Sequence, residues 1–227
     1  MKFRTSLLVP VLIVLVGCRE TAKTPEIAMT QEAPPKTLLE KLADKHGFEN
    51  WDKVQRLQFT FNVDRDASHF ERTWIWEPLK NSVTSITGTD TLTYTRDQVD
   101  SLTMRTDASF INDKYWLLAP YQWVWDQASF THEFEENSQA PISGETASKL
   151  TIVYGSEGGY TPGDAYDFFF SKDSVLKEWV FRKGNQPEPS VVTTWEKYED
   201  VNGLLLSTHH QNAEGNFKLY FTGIRVN

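Results

Sequence analysis

The chain has 227 residues, of which 39% are hydrophobic and 24% charged, a mix that excludes a disordered or fibrous protein and suits one globular domain. Its 23 Lys and Arg against 31 Asp and Glu leave a formal net charge of −8, which provides no basic footprint for a nucleic-acid backbone. A single cysteine excludes a disulfide framework and any multi-thiolate metal site.

The chain starts with an address. Lys2 and Arg4 precede an apolar run from Leu7 to Val16, too short for a bilayer-spanning helix, which needs about 20 apolar residues. The run ends Leu15-Val16-Gly17-Cys18, a tetrapeptide that resembles a bacterial lipobox. The resemblance implies a signal peptide over residues 1–17, cleavage before Cys18, and lipidation of that cysteine. Two or more acyl chains together make a lasting anchor where one does not. The expected location is the cell envelope, on the outer membrane, with the membrane reached through lipid alone.

Residues 18–36, with Pro25, Pro34 and Pro35 and few large apolar side chains, are expected to form a flexible tether. The domain is expected over 37–227. Thr37-Leu38-Leu39-Glu40 has the form of a capping box, Leu38, Leu39, Leu42 and Ala43 follow at helical spacing, and Gly47 is placed to end the helix in a left-handed cap.

From Val54 onward the apolar period becomes 2. Leu57, Phe59 and Phe61 alternate with polar residues, Trp74 and Trp76 flank Ile75, and Val83–Thr87 and Leu92–Thr95 are separated by Gly88-Thr89-Asp90. Further strands are expected at about 166–170, 175–182, 191–198, 204–210 and 217–226, with turns at Asn202-Gly203 and Glu214-Gly215-Asn216. The pattern predicts a mainly β (α+β) domain: a long antiparallel meander curled around the N-terminal helix as a half-open barrel.

Phe110 to Asp126 is dense in aromatics. Read as extended chain, Trp123 and Trp125 share a face, as do Trp74 and Trp76, and Asn112-Asp113 forms a turn between strands. Such rings either fill a curved core or line a concave pocket, and pockets are mostly apolar with few placed polar groups. The candidate pocket residues are Trp74, Trp76, Phe110, Tyr115, Trp116, Tyr121, Trp123 and Trp125, with Asp113 and Lys114 at the rim.

Three segments carry a resemblance: His46-Gly47-x-x-x-Trp51, Phe110 to Leu118, and Gly158 to Asp167. They resemble an uncharacterised family of bacterial lipoproteins related in fold to the lipoprotein-localisation carriers LolA and LolB. The resemblance implies a curved, half-open antiparallel sheet with helices packed in its mouth. In the carriers that cavity holds the acyl chains of a lipoprotein client.

Catalytic patterns are incomplete. His132-Glu133-Phe134-Glu135-Glu136 lacks the second histidine of a zinc-protease helix, and Tyr154-Gly155-Ser156-Glu157-Gly158 lacks the first glycine of a nucleophile elbow. Ser174-x-x-Lys177 lies in an expected hairpin, and Gly158–Gly163 lacks the ending that holds phosphate. His132, His209 and His210 are expected to be exposed polar residues. Asp164 and Asp167, three apart at a strand start, face opposite ways. The expected function is therefore a lipid-anchored protein that binds or carries an apolar, acyl-chain-like ligand or a lipoprotein client, not an enzyme, with no cofactor and no metal. The alternative is an accessory lipoprotein that acts through a protein partner.

Overall fold

The computed structural model describes residues 34–227; Cys18, the segment 1–17 and nearly all of the 18–36 tether lie outside the described residues. Helix α1 (Leu38–Asp44) begins with the expected box: the Thr37 hydroxyl accepts from the Glu40 N–H at 3.2 Å, and the Glu40 carboxylate accepts from the Thr37 N–H at 2.6 Å. Leu39, Leu42 and Ala43 are its buried face. Gly47 is left-handed at φ +86°, and a Cβ there would stand 2.0 Å from the Gly203 carbonyl oxygen. Only glycine fits so close an approach of two backbones.

Four antiparallel strands follow: β1 (Leu57–Arg65), β2 (Ser68–Glu77), β3 (Ser82–Thr87) and β4 (Asp90–Thr95). Alternate residues Leu57, Phe59, Phe61, Trp74 and Trp76 point into the core.

The aromatic stretch is not extended. Residues Met104–Trp125 form a long helix, α2. From Asp113 to Trp123 every residue is buried, so the helix has no polar stripe from which a 3.6-residue period could be read. Asn112 and Asp113 are mid-helix residues rather than a turn. Trp123 and Trp125 consequently diverge around the helix instead of sharing a face. Pro120 has no N–H to give the Trp116 carbonyl, and the helix bends at Leu118, where φ is −122° and ψ 24°.

Beyond α2 come β5 (Phe130–Gln139), β6 (Thr146–Tyr154), β7 (Ala165–Phe170), β8 (Leu176–Arg182) and β9 (Val191–Thr194), a five-stranded sheet in chain order. Strands β10 (Glu196–Val201), β11 (Leu204–Gln211) and β12 (Phe217–Val226) return to the first four. The seven-stranded sheet has the order β10-β11-β12-β1-β2-β3-β4. The chain thus forms two antiparallel sheets rather than one continuous meander, because α2 interrupts after β4 and β12 pairs with β1.

The two sheets meet at Trp195. Its N–H donates to the Lys177 carbonyl at 2.6 Å, and the Gln211 N–H donates to the Thr194 hydroxyl at 3.2 Å. At the other end β4 and β5 are both sheet edges, so the barrel stays half-open. Strand β5 exposes Glu133, Glu135 and Glu136, and its register shifts between Glu135 and Ser138 around Asn137 at φ +62°. One apolar core joins α1, α2 and the inner faces of both sheets. His210, expected at the surface, is instead 1% exposed, packed against Trp195 and Trp116 at ring distances of 4.5 and 5.4 Å.

Candidate functional site

The aromatics of α2 divide by what they meet. Trp123 is fully buried, edge-on to Phe168 at 4.9 Å, Phe170 at 5.5 Å and His46 at 6.2 Å. Tyr121, also sealed, donates its hydroxyl to the His46 carbonyl at 2.6 Å. His46 is a junction: the Leu176 N–H donates to its Nε2, and its Nδ1 bonds the Leu42 carbonyl. Since Nε2 accepts, Nδ1 carries the proton of the neutral ring. Burial lowers the His46 pKa to about 4.

Trp74 and Phe110 are likewise wholly buried. Asp113 is not at a rim. It is buried beneath Arg72, whose Nη2 donates to Oδ2 at 2.7 Å, while the Trp74 indole N–H donates to the same oxygen at 2.8 Å. Burial pushes the Asp113 pKa up, against the opposing pull of Arg72 and of these hydrogen bonds. An ion pair so placed holds β2 to α2.

A hollow of about 650 Å³ opens beside the first part of α2. Ala108, Ile111, Lys114, Tyr115 and Trp116 line it from the helix, Tyr154, Tyr166, Trp179 and Phe181 from the five-stranded sheet. Tyr115 stacks on Tyr166 at 4.9 Å, and Trp116 meets Trp179 edge-on at 4.3 Å. The loop from Gly155 to Thr161 forms another wall. Gly158 and Gly159 take φ of +78° and +66°, and Tyr160 reaches across to donate to Asp107 Oδ2 at 2.7 Å. Asp107 also accepts from Tyr94 and from Arg96, which itself borders the hollow. A depression of similar size on the outer turns, around Arg65, Pro141 and Pro189, has only Phe217 as an aromatic wall.

Of the residues selected from the sequence, Tyr115, Trp116 and Lys114 line the hollow. Trp74, Phe110, Tyr121 and Trp123 are sealed in the core away from it. Trp76 and Trp125 also stand outside it, 6.0 Å apart and both against Trp51. Sequence reasoning missed Tyr154, Tyr160, Tyr166, Trp179, Phe181 and Arg96. For Tyr166, Trp179 and Phe181 the available signal was the alternation of Tyr166 with Phe168 and of Trp179 with Phe181. Ser174 has φ +66° in the β7–β8 turn, as expected of a hairpin rather than a nucleophile. Among the described residues no group of three or more His, Cys, Asp and Glu side chains could hold a metal.

Fold and hollow together define a half-open antiparallel shell around a helix, with an aromatic recess at one side of that helix. No family model matches the chain, and no curated protein matches it. Among solved structures it is similar to a DUF1329 family protein from Desulfovibrio piger, with a TM-score of 0.47, 11% identity, and coverage of 85% of this chain and 94% of the other. It is similar also to a LolA superfamily protein from Nitrosomonas europaea, with a TM-score of 0.47, 8% identity and the same coverage.

Proposed function

We propose that this protein binds an apolar ligand of acyl-chain size in the hollow beside α2, and that it holds or carries that ligand rather than transforming it. The observation that carries the reading is a recess of about 650 Å³ walled by Tyr115, Trp116, Tyr154, Tyr166 and Trp179. That volume lies in the range of about 300–1,000 Å³ usual for small-molecule sites. Each methylene moved from water into it contributes about 0.8 kcal/mol. The ligand is either a free lipid or the acyl chains of a lipoprotein client. Lipid on Cys18 ties the domain to the outer membrane through the 18–36 segment.

The test is saturable uptake of an uncharged naphthylamine probe, read by its fluorescence. Ala108 lines the hollow from α2 and is only half-buried, so Ala108→Phe fills the space without opening the core. Uptake should fall about tenfold or more in that variant; equal uptake in parent and variant rejects the site. For the anchor, Cys18→Ser should move the protein from the membrane fraction to the aqueous one, and persistence at the membrane rejects lipidation.

A further inference from the structure

Lys114 is the unusual group in the wall. Its side chain borders the hollow and is only 4% exposed. The Nζ lies 5.0 Å from the ring centre of Trp76, 5.1 Å from Trp125 and 5.8 Å from Phe110. None of these three rings lines the hollow, whereas Lys114 does. Its hydrogen bond goes to Gln122 Oε1 at 2.5 Å. An ammonium has three donors, so two remain.

Among the described residues no carboxylate oxygen lies within 4 Å of that nitrogen. Asp126 stands beyond the amide, accepting from Gln122 Nε2 at 2.5 Å. Asp107 accepts from Arg96, Tyr94 and Tyr160. Glu157 and Asp126 are the acidic residues lining the hollow, Arg96 and Lys114 the basic ones. Arg96 spends its Nε on Asp107, and its terminal nitrogens make no hydrogen bond among the described residues. A buried cation without a paired anion is costly; the surrounding rings offset part of that cost, and a counter-ion would offset more.

We propose that the ligand carries one negative charge, a carboxylate at the end of its apolar body, and that Lys114 receives it, with Arg96 as the second cation at the same wall. The inference rests on the reading of the hollow as a binding site. A carboxylate presents the acceptors that the Lys114 ammonium lacks, and the aromatic walls cover the rest of the chain. Burial, the larger influence, and Arg96 lower the Lys114 pKa to about 7 against the pull of Asp126 and Asp107, so preference for the acid should be greatest below neutrality. An incoming anion raises that value, so binding near neutrality is coupled to uptake of a proton by Lys114 from solvent.

The experiment compares a fluorescent polyene fatty acid with its methyl ester on the full chain at pH 6.5. The acid should bind about tenfold more tightly than the ester, and the advantage should shrink by pH 8.5. Lys114→Met should lose most of the acid's advantage, with Arg96 supporting the small remainder. If neither binds, the hollow is not a lipid site and both readings fall. If the ester binds as well as the acid, or the acid keeps most of its advantage in Lys114→Met, the charge assignment is overturned while the hollow stands. The acid–ester comparison needs no substitution, so it decides the matter even where the variant fails to fold.

Discussion

The two ends of helix α2 are equally aromatic and differ in what faces them. From Leu117 to Trp123 the rings of the helix meet Phe168, Phe170 and His46 and are sealed, and of this stretch Gln122 alone borders the hollow. From Ala108 to Trp116 it faces Tyr154, Tyr166, Trp179 and a glycine-containing loop, and a recess remains. Aromatic density therefore marks the neighbourhood of the site without separating wall from filler. The bend at Leu118 falls close to the division between them.

The two ends of the helix should differ most at Trp123. Removing a sealed indole costs about 3–5 kcal/mol, so Trp123→Ala should lower the denaturation midpoint strongly. In the fraction that remains folded, the affinity for the neutral probe should be unchanged. A loss of probe affinity in that folded fraction would mean the two ends of the helix are one site.

Acidity distinguishes the ends next. His46, at the sealed end, falls from the ordinary 6.5 to about 4 because burial disfavours the imidazolium. Between those values the unfolded chain holds the extra proton, so stability rises with pH and is lost as pH falls from 6.5 toward 4, by up to about 3 kcal/mol. Burial puts His210 lower still, at about 3, and it adds to the same acid limb. Lys114, at the open end, acts in a separate window. With its value near 7 against 10.5, the unfolded chain again holds more protons, and stability should climb as pH rises from 7 to 10. Chemical denaturation across pH checks both, and Lys114→Met should flatten the alkaline limb alone. The smallest effect belongs to Ala108→Phe, which should shift stability by no more than about 0.5 kcal/mol while emptying the hollow of probe.

Much of the shell was legible in the sequence. The strands after residue 165 fall close to the expected spans, with the run 191–198 broken at Trp195 into β9 and β10, and the turns at Asn202-Gly203 and Glu214-Gly215-Asn216 fall where expected. Thr37 and Glu40 mark the start of the first helix through local chemistry alone, whereas the helix ends at an αR cap on Lys45 and the left-handed Gly47 opens the following 3-10 turn instead of capping it. Helix α2 was not legible, because burial on every side erases the periodicity from which a helix is read. Tyr166 and Trp179 could be placed on inward faces. Their bordering a void depends on which residues of α2 stand opposite, and that arises only when the helix is set against the sheet. Lys114 could be associated with the aromatics, whereas the role of Asp113 as the partner of Arg72 required the fold.

Leaving β4 and β5 unjoined presents two free hydrogen-bonding ladders, the kind of border along which proteins polymerise. On β5 that hazard is countered by composition and shape. Glu133, Glu135 and Glu136 would face their own kind in a copy pairing β5 to β5, and the extra residue near Asn137 bends the ladder out of true. Along β5 the open border is thus made unfavourable for pairing with a second copy of the molecule.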